Sequence, residues 1–339
     1  MVDKRIKNFD YLKYICSILV IGIHTTPLFD NGVCGGGIGN FIFSDIVCRI
    51  AVPIFAVLSG FFILEAGSSK IKRYIVHILK VYAVWSLIYL PINIITSTPQ
   101  KPLTFICECI FVGTFSHLWY LPALCFGFML VRVLRRRFSL IVVLGISLVL
   151  YLFGLFGDSY FNILSDGIIK QTLALTLKLF FTTRNGLFYI PIWLYMSGFI
   201  RRYYFVFEKR KKALIIALVP LFVLLLCEGL LLYKSNPRDT NYYFSLIVLV
   251  PCIVVSVLFL SVKCLKGNSA FWGKASSLIY YSHYCLLYGV NYVLRFMGID
   301  YQNSHMLEFF LCILVSVFFS SASIWINDHT RIKLLKILT

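Results

Sequence analysis

The chain of 339 residues is 60% hydrophobic and 17% aromatic, has only 14% charged residues, and still carries a formal net charge of +18. So apolar a composition excludes an ordinary soluble globular protein and a solvated disordered one. The positive balance leaves a polyanion-binding surface or the loop asymmetry of a membrane protein, and the distribution of the charges decides between them.

Runs of roughly 20 mostly apolar residues, the length that crosses a bilayer as a helix, recur along the chain. They cover about 11–29, 40–64, 74–98, 116–134, 139–156, 186–201, 213–233, 242–263, 276–295 and 306–326. The pattern predicts an all-α fold: a polytopic membrane helical bundle of about ten transmembrane helices, forming a single domain over residues 1–339. The first run lacks a small-residue cleavage site and contains Lys13 and His24, so it is expected to remain as the first span. The sixth, GLFYIPIWLYMSGFI, is short and holds Pro191, which suits a tilted or broken helix. In the loop 157–185, the stretch LALTLKLFF is expected to lie along the interface as an amphipathic helix.

Counting Lys and Arg across alternate loops gives 22 on one side and 7 on the other. By the positive-inside rule both termini are then cytoplasmic. Because these charges are dispersed between spans instead of forming one stripe, nucleic acid is not expected as a partner. Most of the 11 cysteines lie in the apolar runs, where Cys behaves as a small hydrophobe. Cys107 and Cys109 have no matching second pair, so no metal is expected.

Ionisable side chains inside a bilayer are costly and usually face a protein interior or a wet cavity. Lys13 and His24 are eleven residues apart, which sets them within about 20° on one helical face and about 16 Å apart along the axis. Arg49 falls in the outer half of the second span, close to the depth of His24. His77 and Lys80, three apart at the cytoplasmic start of the third span, share a face and with Lys13 could form a basic pocket suited to phosphate. Contact with lipid phosphate accounts for the same residues equally.

SHLWYLPAL puts His117 and Tyr120 at the outer start of the fourth span, where an interfacial aromatic belt is the alternative reading. TTRNGLF puts Arg184 at the outer start of the sixth. Glu228 lies deep in the seventh with no cation within a helical turn, which marks it as a functional carboxylate. His283 falls in the inner half of the ninth. An outer set (His24, Arg49, His117, Arg184, Glu228) thus separates by depth from an inner set (Lys13, His77, Lys80).

These residues resemble those of the type-3 acyltransferases, multi-span bacterial enzymes that O-acylate envelope polysaccharides and other extracytoplasmic acceptors. The likeness lies in a basic residue, ten residues, then histidine in the first span (Lys13 to His24), and in a basic pair three apart in the third (His77 and Lys80 in HILKVY). VPIFAVLSGFF, SHLWYLPAL and LIYYSHYCLL add to it. Within the superfamily, RIAVPIFAVLSGFF, HLWYLPAL, GDSYF, TRNGLFYIP and the Glu228 region are similar to the membrane half of the vancomycin-resistance serine racemases.

The resemblance implies a multi-pass protein of the bacterial plasma membrane that takes acyl-coenzyme A, acetyl-coenzyme A first, as donor. It implies donor binding by Lys13, His77 and Lys80, and His24 as base or nucleophile; Glu228, as an isolated membrane carboxylate, is expected as a second catalytic group. Arg49, His117, Tyr120, Arg184 and His283 would line the side for an envelope glycan or small hydroxylated acceptor, with membrane lipids around the bundle. Lys13, His77 and Lys80 replace arginines of the family pattern, and neither side chain reproduces the planar fork of Arg on phosphate. The alternative is a transporter or binding module for a small amino acid such as L-serine, Arg49 pairing its carboxylate and Glu228 its ammonium.

Overall fold

In the computed structural model, residues 6–33, 36–96, 102–260, 269–300, 303–330 and 338 are described. Lys4, Arg5, Lys101, Lys263, Lys266, Arg331, Lys333 and Lys336 from the loop count, and the span ends beyond residues 96 and 260, lie outside them. Among the described residues the secondary structure is entirely helical. The helices are α1 (Lys7–Thr25), α2 (Gly37–Ile63), α3 (Ser68–Thr96), α4 (Pro102–Phe111), α5 (Tyr120–Arg137), α6 (Leu140–Phe156), α7 (Ile168–Phe180), α8 (Ile190–Arg202), α9 (Tyr204–Lys209), α10 (Lys211–Lys234), α11 (Leu246–Phe259), α12 (Ser269–Phe296) and α13 (His305–His329).

Each of the ten apolar runs holds a helix. By length and composition, α2, α3, α10 and α13 can cross a membrane unaided. Helices satisfy their own backbone hydrogen bonds, which is why apolar runs in lipid take this form. The sixth run bears out the expectation of a broken segment: α8 is only 13 residues long, and residues 182–189 before it are turns. There Asn185 Oδ1 accepts from the backbone N–H groups of Leu187 and Phe188, an Asx-type turn that starts the helix. The stretch 168–180 is helical as expected, burying Leu173 and Leu177 while leaving Leu175 and Leu179 exposed.

α2 is not uniformly wound. Residues Phe41–Val47 are π-helical and Cys48–Ile50 are 3₁₀ before regular α-helix resumes at Ala51. Pro53 supplies the reason, since it has no N–H for the carbonyl of residue 49 and its ring crowds that carbonyl. The rewound segment carries Asp45 and Arg49.

α1 packs chiefly along α12, and α12 along α13; on the other side α2 packs against α8, which also meets α5 and α6. In its most apolar window α2 is 61% buried against 11% for α10, so α2 is central and α10 peripheral. A Cβ on Gly60 would collide with the side chain of Ser197, so glycine is what lets α2 approach α8 this closely. One continuous apolar core joins Phe9 and Cys16 of α1, Ile54 and Phe61 of α2, Trp193 of α8 and Val254 of α11.

Candidate functional site

Three imidazoles meet between α1, α12 and the turn before α5. The His24 ring, in the last turn of α1, lies 5.4 Å from the His283 ring and nearly parallel to it, 4.8 Å from Tyr284 and 6.4 Å from His117. The His117 and His283 rings are 4.8 Å apart. His117 and His283 are buried, whereas His24 keeps part of its surface open.

Backbone carbonyls fix two of the three tautomers, because a carbonyl only accepts. His283 Nδ1 lies 2.8 Å from the Tyr280 carbonyl and His117 Nε2 lies 3.2 Å from that of Tyr281, so these nitrogens carry the hydrogens. His283 Nε2 and His117 Nδ1 are then the lone-pair sites of the neutral rings, and both are buried without a partner. His24 has no hydrogen-bond partner among the described residues.

The open face of His24 looks into a cavity of about 30 Å³, room for about one water. Arg49, His117, Arg184, Asn241 and Tyr280 share its lining. Both arginines donate to one oxygen: Arg49 Nη1 is 2.9 Å and Arg184 Nη1 is 3.1 Å from Asn241 Oδ1. Arg49 also pairs with Asp45, one turn earlier on α2, at 2.9 Å, and Arg184 lies over the Trp119 ring at 4.9 Å. Thr240 donates to the same Asp45 carboxylate at 2.6 Å.

Asn241 is itself held from behind. Its backbone N–H and its side-chain amide donate to the two oxygens of Asp158 at 3.0 and 2.9 Å, which orients the amide oxygen towards the guanidinium groups. Burial raises Asp158, with the neighbouring Asp239 charge adding to it, to about 6. Burial acts against ionisation of Asp239 as well, but Arg49 and Arg184 outweigh it and hold its carboxyl below the ordinary range. Asp158, Asp239 and Asn241 are not singled out by sequence, since loop residues carry no periodicity, although Asp158 lies within GDSYF; Asp45, four residues before Arg49 on one helical face, has a readable signal.

A second cavity, of about 200 Å³, lies nearer the other end of α1. Lys13, His77, Ser59, Tyr120 and Tyr281 line it, and Tyr280 lines both cavities. Tyr280 is tied at this boundary by its hydroxyl, which donates to the His117 carbonyl. Lys13 also lies 5.6 Å from the Phe62 ring.

Of the residues singled out in sequence, His24, Arg49, His117 and Arg184 are brought together around one cavity, with His283 stacked behind His24. Lys13 and His77 share the other, and Tyr120, expected on the acceptor side, lines that one. Lys80 is exposed and lines neither. Glu228 lies outside both linings. Its Oε1 accepts from the Tyr160 hydroxyl at 2.7 Å and from Phe244 N–H at 2.6 Å. Its Oε2 accepts from Ser245 N–H at 2.9 Å and Ser245 Oγ at 2.6 Å. The carboxylate thus holds the turn that opens α11, where free N–H groups favour negative charge. No group of His, Cys, Asp and Glu that could hold a metal occurs among the described residues.

The family model for the type-3 acyltransferases, described as an acyltransferase domain, matches residues 6–325, and the chain belongs to that family. An amino-acid racemase of Enterococcus faecalis is 34% identical over 205 residues, covering 58% of this chain and 28% of that protein. A serine/alanine racemase of Enterococcus gallinarum is 30% identical over 257 residues, 72% of this chain and 36% of its own length. A further amino-acid racemase of Enterococcus faecalis is 26% identical over 350 residues, 98% of this chain and 47% of that protein. The chain therefore spans less than half the length of these relatives. No solved structure gives a significant match.

Proposed function

We propose, from membership in this family, that the chain is an integral membrane O-acyltransferase of the bacterial plasma membrane, a ten-span bundle with both termini cytoplasmic. It moves an acyl group, acetyl first, from cytoplasmic acyl-coenzyme A to a hydroxyl of an envelope glycan or small extracytoplasmic acceptor. The observation that carries this reading is the pair of cavities meeting at Tyr280, with Lys13 and His77 on one side and His24 on the other. Lys13 and His77 offer N–H donors to the anionic part of the donor. Lys80, outside the lining, is left a lesser part in attracting it.

At His24 a ring nitrogen takes the proton of the acceptor hydroxyl as its oxygen attacks the thioester carbonyl. The new C–O bond forms, the C–S bond breaks, and the departing thiolate takes the proton. The alternative is an acyl-histidine intermediate, with His24 itself attacking first. In either course Arg49 and Arg184, already held against Asn241, direct N–H groups where the carbonyl oxygen gains charge. His283, with its hydrogen fixed on the backbone, presents Nε2 beside His24 as a second proton acceptor.

Membranes containing the protein are expected to transfer label from acetyl-coenzyme A to an acceptor, and His24→Ala to abolish transfer while leaving the amount of protein unchanged. Normal transfer by His24→Ala overturns the role given to His24.

A second reading, capture or transport of a small amino acid, is favoured by likeness to one relative, a serine/alanine racemase. Arg49 and Arg184 suit a carboxylate. Glu228, expected to pair the ammonium, is already taken by four donors, which weakens this reading. Saturable serine uptake into proteoliposomes that is lost in Arg49→Gln would favour it over transfer.

A further inference from the structure

A cavity of about 480 Å³ belongs to neither half of the candidate site. It opens where α2, α5, α6 and α8 come together at their basic ends. Three guanidinium groups, Arg135, Arg201 and Arg202, face one carboxylate, Glu65, across it. Arg135 is committed to Glu65 at 2.7 Å. Arg201 Nη1 donates to the Phe61 carbonyl at 3.1 Å, which anchors that side chain while leaving other N–H groups free. Arg202 is exposed and has no ion-pair partner among the described residues. The cavity thus holds an excess of two positive charges, next to an apolar wall from Leu140, Ile141, Leu144 and Phe199.

That wall is not closed off by protein. Ile141 is 82% exposed, so the charged end of the cavity continues into a face that meets hydrocarbon. Gly198 also lines the cavity, beside Glu65 and Leu64. A soluble anion uses the guanidinium groups and leaves the wall bare; a neutral lipid uses the wall and leaves two positive charges unmatched. An anionic amphiphile satisfies both.

We propose that this cavity binds an anionic glycerophospholipid of the leaflet facing the basic ends of α5 and α8. Its phosphate accepts from Arg201 and Arg202, and an acyl chain runs along Ile141 and Leu144. Guanidinium N–H groups make charge-assisted bonds to phosphate, and basic pockets between membrane helices take such headgroups. The inference rests on the chain lying in a bilayer and on neither the donor nor the acceptor of the proposed transfer, so an inactive transfer assay leaves it standing.

The test uses the full chain, purified and stripped of lipid, with phosphatidylglycerol and phosphatidylcholine of the same acyl chains compared by native mass spectrometry. Phosphatidylglycerol is expected to bind about tenfold more tightly, and Arg202→Gln to reduce that preference about fivefold, in keeping with a lost charge-assisted contact. Ile141→Gln, a neutral polar side chain at this exposed position, should weaken phosphatidylglycerol by removing the apolar contact for its acyl chain, with the amount and melting of the purified protein checked alongside. Millimolar inorganic phosphate should not displace the lipid. Equal binding of the two lipids, indifference to both substitutions, or displacement by phosphate would each overturn the proposal, the last by assigning the cavity to a soluble anion.

Discussion

The two cavities that meet at Tyr280 are built on opposite plans. Around His24 there is room for about one water, and the groups that line it are positioned by fixed partners: Asp158 grips Asn241, Asn241 gathers two guanidinium groups, and backbone carbonyls set the His117 and His283 rings, leaving His117 Nδ1 and His283 Nε2 unpaired. Around Lys13 and His77 there is about 200 Å³, lined by the hydroxyls of Ser59, Tyr74 and Tyr120, with Ser59 Oγ 3.5 Å from the Tyr120 hydroxyl. Rigid, crowded geometry suits orienting a reacting centre, where a small displacement is costly. A roomier cavity with cationic side chains suits holding a ligand by charge. The contrast is one of precision against capacity, and it can be broken or sharpened by substitution.

The largest effect is expected at His24, where loss of a positioned proton acceptor in His24→Ala should reduce the transfer rate at least about 100-fold. Asn241→Ala comes next. It releases both guanidinium groups from their shared oxygen, and a drop in kcat of about 10–100-fold with little change in the KM for the donor would place its role in orientation. In the roomy cavity the balance reverses: Lys13→Gln should raise the KM for acyl-coenzyme A about fivefold to tenfold while moving kcat less, since one charge-assisted contact is lost. Lys80→Gln, on the exposed side of α3, should change either constant less than about twofold. A KM effect at Asn241 or a kcat collapse at Lys13 would erase the distinction.

The support behind Asn241 also has a pH signature. With Asp158 raised to about 6, above the ordinary carboxyl value of about 4, the folded state favours its protonated form. That contribution to stability is full below about pH 4 and is lost as the pH rises through about 6. Asp239, held below its ordinary range by the two arginines, acts in the opposite sense and loses its contribution as the pH falls. Thermal melts of Asp158→Asn between pH 5 and 7 should therefore be flatter than those of the unmodified protein.

The helices were legible because lipid permits few alternatives to a run of apolar residues satisfying its own backbone. Of the set grouped by depth in sequence, His24, Arg49, His117 and Arg184 line one cavity while Glu228 does not; sequence position along a helix converts to height, which is why the four could be grouped at all. Rotation about the helix axis was harder to read. His77 and Lys80 are three apart, yet only His77 reaches the cavity, and Lys13 sits with Tyr120 because of how α1 meets α5 and α12. Glu228 seemed to need a cation because the turn at 244–245, which supplies N–H groups in its place, is distant in helical register. The non-uniform winding of α2 had a visible cause in Pro53, but its result, Arg49 turned towards Asn241, depends on a loop almost 200 residues away.

Tyr280 has one more consequence under the proposed transfer. An activated thioester is spent whenever water reaches it before an acceptor does, and a route open from end to end would squander donor and dissipate the gradient across the bilayer. With Tyr280 bordering both chambers, leak and turnover under that scheme respond to the same side chain, so a smaller residue at 280 trades economy for speed.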